Sequence, residues 1–268
     1  MDKEMIVQQV MAELQKNSPK SADTRPTSGY SRESFTEFVG VGPGDTIGLV
    51  LANVDPALTE ALEIDPKYRS IGLVGSRTGA GPQATAADDA VKASNAEVIR
   101  LELPRDTKGG PGHGIMILFG AEEVSDARRA VETTMDNLER QMGGIYLNEA
   151  GHIETQYSAR ASSVLSTYLG AKEGKAWGMV GAAPSVIGIL AADALLKAAD
   201  VEVTMAISPN KGTSFSNEYI ICYTGDSGAV KQATIAGRDV AYKALASMGS
   251  KPVCVTKPYL EPFIEDEE

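Results

Sequence analysis

The chain has 268 residues, 43% of them hydrophobic and 23% charged, a soluble globular composition with length for two domains of roughly 100 residues each. A formal net charge of −11 argues against nucleic acid as a partner, because holding a phosphate backbone requires clustered Lys and Arg. No apolar run approaches the ~20 residues of a membrane-spanning helix, and acidic and amide residues break the apolar positions of the N-terminus, so neither a membrane span nor a secretory signal is expected and the chain is assigned to the cytoplasm.

In chain order, Met5, Ile6, Val7, Val10, Met11 and Leu14 share one side of a helical wheel, which predicts an amphipathic helix. The Ser, Pro, Lys and Gly-rich stretch from Asn17 to Ser34 reads as a flexible linker. A helix on such a tether has the form of a docking peptide, and also of an ordinary helix folded back on its parent domain. Strands are expected over Thr46–Val54, Ser70–Gly75, Val98–Leu103 and Ile115–Gly120. Asp55-Pro56 opens a short helix, Gln83–Ser94 reads as an Ala-rich helix, and Val124–Gln141 as a longer one. The order then recurs: strand His152–Tyr157, short helix Ser162–Leu169, strand Ala176–Gly181, helix Val186–Ala198, strands Val201–Ile207 and Tyr219–Thr224, and helix Ala229–Ala246. Prolines 252, 258 and 262 mark an extended C-terminal arm.

The recurrence is also visible in residue identities. Ala87-Asp88, Lys92, Glu97-Val98 and Pro104 return 105 residues later as Ala192-Asp193, Lys197, Glu202-Val203 and Pro209. Ile71–Gly75 aligns with Trp177–Gly181, Gly114–Ile117 with Tyr219–Cys222, and, after a slip, Val124, Ala127 and Ala130 with Val230, Ala233 and Ala236. So long a period makes each unit large enough for its own core, which is a duplicated domain rather than a solenoid. The fold class is α+β, mixed α/β, with an antiparallel pair flanking each glycine-bearing loop. The organisation is 1–34 helix and linker, 35–144 first domain, 145–249 second domain and 250–268 arm.

Cys222 and Cys254 are too few for a disulfide framework or a CxxC metal site, and Cys222, within YIICY, is expected to be a buried structural thiol. KGGPGHG lacks the GKS/T ending of a phosphate loop, and His113 and His152 come with neither HExxH spacing nor a nucleophile motif. No catalytic residue, metal or cofactor is expected.

Ala191–Val203, followed after a variable loop by Gly225-Asp226-Ser227-Gly228-Ala229-Val230, resembles the shell-protein domain of bacterial microcompartments. Two copies, each with its strand and short helix ahead of the "AAD" helix, are similar to the tandem, circularly permuted branch of that family. RSIGLVGSRTGAGP, LPRDTKGGPGHG, NEAGHIE and GTSFSNE resemble the branch found in propanediol-utilisation compartments. The resemblance covers Phe35–Gly249 and implies a pseudohexameric homotrimer that tiles a shell facet beside other shell proteins, with an N-terminal segment able to hold encapsulated enzymes.

The resemblance also makes the loops after Pro104 and Pro209 pore loops. Their Asp106, Thr107, Gly109, Gly110, His113, Asn210, Thr213, Ser214, Ser216 and Asn217 offer short hydrogen-bonding groups suited to a diol such as 1,2-propanediol or glycerol. Glu149 and Glu154 flank His152, a cluster assigned to a channel between the two domains. Lys92 and Lys197 occupy the tile-edge position of the family, and as residues alone they read equally as solvated helix lysines. Asp88, Asp89 and Asp193 are expected to be capping or surface charges. The alternative function is a diol-binding module or shell-to-cargo adaptor rather than a conducting pore.

Overall fold

A computed structural model describes residues 36–104, 114–207 and 217–256. Eleven strands and six helices follow in the order β1 (Phe38–Gly42), β2 (Thr46–Leu51), α1 (Pro56–Ala61), β3 (Ser70–Ser76), α2 (Gly81–Ala90), β4 (Glu97–Glu102), β5 (Ile115–Ala121), α3 (Val124–Gln141), β6 (Ile145–Asn148), β7 (Gly151–Ser158), α4 (Ser163–Leu169), β8 (Ala176–Ala183), α5 (Ser185–Ala198), β9 (Val201–Ile207), β10 (Tyr219–Gly225), α6 (Ser227–Ala246) and β11 (Val253–Cys254), counted among the described residues. They form two antiparallel sheets, one of order β1-β2-β3-β5-β4 and one of order β11-β6-β7-β8-β10-β9. Leaving out β11, the second order repeats the first strand for strand, as the duplication requires.

Period-two patterning places each sheet. In β2, Thr46, Gly48 and Val50 are buried toward α3, while Ile47, Leu49 and Leu51 alternate to the other face. Helix α3 can lie flat on that sheet because Gly48 and Gly72 leave room: a Cβ on Gly72 would stand 2.6 Å from Val131 Cγ2. Helix α3 buries Ala127, Ala130, Val131, Thr134 and Leu138, the 3.6-residue stripe of an amphipathic helix. Helix α6 buries Val230, Ala233, Thr234, Gly237 and Ala241 at the same spacing. One buried cluster holds Ala84, Ala87, Ala90, Ile117 and Phe119 together with Val164, Leu165, Trp177 and Cys222, so the core runs across the junction between the two units. Cys222 is a buried thiol, as expected, and burial pushes its ionisation far upward.

The structure corrects four details. Strands β1 and β6 were not anticipated; both are short, β1 carries two glycines, and each is held by its hairpin partner. The arm carries β11, whose Val253 and Cys254 pair with Leu147 and Tyr146. Helix α2 stops at Ala90 rather than Ser94, where the Ser94 hydroxyl takes the Ala90 carbonyl and Ala93 N–H closes a tighter turn on the same group. The alignment also shifts. Ile117 pairs with Val74 and Ile221 with Val180, so Ile117 corresponds to Ile221, not Cys222. Likewise the matching buried stripes set Ala127 over Val230 rather than over Ala233.

Candidate functional site

Strand β7 lies between β6 and β8, and its side chains alternate across the sheet. Ile153 and Tyr157 join the core of the second unit; His152, Glu154 and Gln156 face the other way. That second face is covered by the start of α2 from the first unit. Glu154 Oε1 accepts from Ala80 N–H at 3.2 Å, and Gln156 Nε2 donates to Thr85 Oγ1 at 3.2 Å and to the Gln141 carbonyl at 2.9 Å. Gln83, also on α2, donates to Thr46 Oγ1 at 3.0 Å. A seam of amide and carboxyl groups therefore runs between the two units.

At one end of this seam His152 Nε2–H donates to Glu218 Oε1 at 3.1 Å. The Glu218 side chain fits beside β8 because residue 181 is glycine: a Cβ there would lie 2.9 Å from Glu218 Oε1. Glu154 and Glu218 are both buried. Burial pushes the Glu154 carboxyl up to about 7, with the Glu218 charge adding to the rise and the Ala80 N–H, His152 and the Gly81 N–H opposing it. Its Oε2, with the Oε1 atoms of Gln83 and Gln156, is buried without a protein hydrogen-bond partner. Such atoms hold unspent acceptor capacity, which a water or a small hydroxylated molecule can use.

Of the expected site residues, His152 and Asn217 come to one place: Asn217 precedes Glu218, and its Oδ1 accepts from Ser185 N–H at 3.3 Å at the start of α5. Glu149 is exposed and turned to the arm, accepting from Ser250 N–H at 2.7 Å and from the Ser250 hydroxyl, away from the seam. Asp106, Thr107, Gly109, Gly110, His113, Asn210, Thr213, Ser214 and Ser216 lie outside the described residues. Lys92 pairs with Asp88 and Asp89 at 3.3 Å each, and Lys197 with Asp193 at 2.7 Å, so the helix ion pair repeats in both units. Lys92 also borders a 520 Å³ groove with Arg160, Ser162 and Glu173. Among the described residues no group of three His, Cys, Asp or Glu side chains is placed to hold a metal ion.

Asp88 proves to be neither a cap of its own helix nor a surface charge. It is buried and accepts from Ser162, Val164 and Leu165 N–H at 3.0, 2.9 and 3.3 Å, so a carboxylate of the first unit caps α4 of the second. Glu218, Gln156 and Gln83 were not singled out. Glu218 sits next to a polar loop, and only pairing with β8 turns it inward.

Residues 176–255 match the family model described as the BMC domain. Two sheet-and-helix units of this kind in tandem define a bacterial microcompartment shell protein, and the chain belongs to that family. Its likeness within the family is to PduB. It is 50% identical to the microcompartment shell protein PduB of Citrobacter freundii over 257 residues, which cover 92% of this chain and 95% of the relative. Among solved structures it is similar to a trimeric PduB shell protein, with 48% identity and a TM-score of 0.77 over 83% of this chain and 99% of that one. EtuB from Clostridium kluyveri matches with 49% identity and a TM-score of 0.78 over 84% and 98%. The chain is therefore a component of a microcompartment shell.

Proposed function

We propose that three copies of this chain close into a pseudohexameric tile of a shell facet, and that small polar metabolites such as 1,2-propanediol or glycerol cross the tile through each chain. The units acting as lobes are residues 35–144 and 145–249, with 1–34 and 250–268 as appendages. The observation that carries the passage is the seam on β7, where Glu154 Oε2 and the Oε1 atoms of Gln83 and Gln156 are buried acceptors lacking protein partners, next to the His152–Glu218 pair. A diol brings two hydroxyl donors to such acceptors, which offsets the cost of leaving water. Support for the tile comes from the repeated strand order and from the trimeric PduB neighbour. The tile does no chemistry and needs no cofactor, in line with relatives that are structural shell proteins.

The test is twofold. Native mass spectrometry and negative-stain electron microscopy of the full chain should show trimers and hexagon-like tiles beside other shell proteins; a stable monomer overturns the tile. Diol flux into shells carrying the chain should fall when Glu154 and Gln156 are replaced by Leu; unchanged flux leaves a diol-binding module in place of a conducting pore.

The N-terminal segment is read as the anchor for encapsulated enzymes, supported by the helical spacing of Met5, Val10 and Leu14 ahead of a linker. Removal of residues 1–34 should keep tiling and release enzymes from the shell in a pull-down. Equal enzyme recovery would refute it.

A further inference from the structure

The junction inside the chain exposes what the ends of the chain lack. Helix α2 meets the second unit through Gly81, Ala84, Thr85 and Asp88, all buried; a Cβ on Gly81 would lie 2.7 Å from Gln156 Cβ. The repeat carries Asp88 and Lys92 onto Asp193 and Lys197, so the same helix face in the second unit is Val186, Ile189, Leu190 and Asp193. There it is open: Val186 is 69% exposed, Ile189 53% and Leu190 45%.

The other half of the junction is open as well. Gly75 and Gly181 are equivalent and pair with Ile47 and Glu154; Leu73 and Met179 are equivalent and pair with Leu49 and Gln156. The strand face that receives α2 in the second unit through Glu154 and Gln156 is thus Ile47 and Leu49 in the first, with Ile47 39% exposed. Both uncovered faces have changed character together. Where the inner junction sets small and polar helix residues on polar strand residues, the open faces set branched apolar residues on each side. Two independent drifts would not match in this way, whereas one interface under a common requirement to exclude water would.

We infer that Val186, Ile189 and Leu190 of one chain seat on the β2 face formed by Ile47 and Leu49 of a second copy of the same chain, head to tail. This rests on the trimeric reading above and deepens it: where a helix start meets the neighbouring sheet, the ring alternates three polar seams within chains and three dry apolar contacts between them. The junctions differ in one further way. In the first unit Asp55 stands where Ser162 stands in the second and already caps α1 by accepting from Ala57 N–H at 2.8 Å, so that helix needs no carboxylate from a neighbour, and Asp193 stays with Lys197.

The experiment uses the full chain. Ile189→Asp and, separately, Ile47→Asp change side chains that are exposed in the single chain, so circular dichroism should keep the wild-type spectrum and a cooperative melt should remain, with Tm lowered by the lost stabilisation of assembly, while native mass spectrometry reports loss of the trimer. A Val186→Cys, Leu49→Cys chain treated with copper phenanthroline should give covalent dimers and trimers on a non-reducing gel, and neither single variant should. Wild-type trimers with Ile189→Asp still trimeric and the double-cysteine chain uncrosslinked would overturn this interface and leave the tile standing. A monomeric wild type would overturn both.

Discussion

Glu154 in the second sheet accepts a hydrogen bond from Ala80 N–H at 3.2 Å, although the two residues are 74 positions apart and belong to different units. The bond places a carboxyl inside the junction, where its proton decides how much charge the seam holds.

Burial raises Glu154 from the ordinary carboxylate range to about 7, so the folded chain keeps a proton the unfolded chain gives up. The folded state binds more protons in the window from about 4.5 to 7, and stability from this group falls as pH rises through it, then levels off. Glu154→Gln keeps an acceptor for Ala80 and removes the charge. Its Tm should show less of that decline and exceed wild type at pH 8, as read by differential scanning calorimetry across pH 5 to 8.

Asp88 satisfies three backbone donors at the start of α4. Asp88→Ala should cost about 2–4 kcal/mol, because those N–H groups lose their acceptor at a buried helix end. Asp193→Ala, which loses only an exposed ion pair, should stay within about 0.5 kcal/mol of wild type. Urea denaturation checks both.

Gly181→Ala would set a methyl 2.9 Å from Glu218 Oε1 and push that carboxylate off His152. A loss of about 1–3 kcal/mol is expected, with a changed His152 imidazole resonance in NMR.

The thiols should separate by exposure. Cys222 is buried in β10 with its ionisation pushed upward, whereas Cys254 is half-buried in the short strand β11. Native protein should react with a disulfide reagent at one cysteine at most, and unfolded protein at both.

Much of the fold was legible because it is written twice. Two passages with the same apolar spacing, the same Ala-Asp…Lys helix and the same strand order predict two equal units, and long periodic segments such as Val124–Gln141 and Val201–Ile207 match their observed bounds. Short elements such as β6 were missed because four residues carry too little pattern to stand out. His152 and Glu154 were recognisable in NEAGHIE, but Glu149, in the same run, belongs with Ser250 instead, since the β6–β7 hairpin turns at Glu149-Ala150 and leaves that side chain in the turn, outside the face that His152 and Glu154 share.

The sequence by itself determined the duplication, the class of each unit and the family, since these depend on local periodicity and residue identity. Only the tertiary structure decided which groups share the seam. Glu218 reaches His152 across 66 residues and Asp88 reaches α4 across more than 70, and such pairings follow from how two sheets and a helix pack, which no single stretch of chain encodes. For the same reason the apolar face of α5 looks like any core helix in the sequence, and becomes an unfilled contact only when its buried twin, α2, is seen against the second unit.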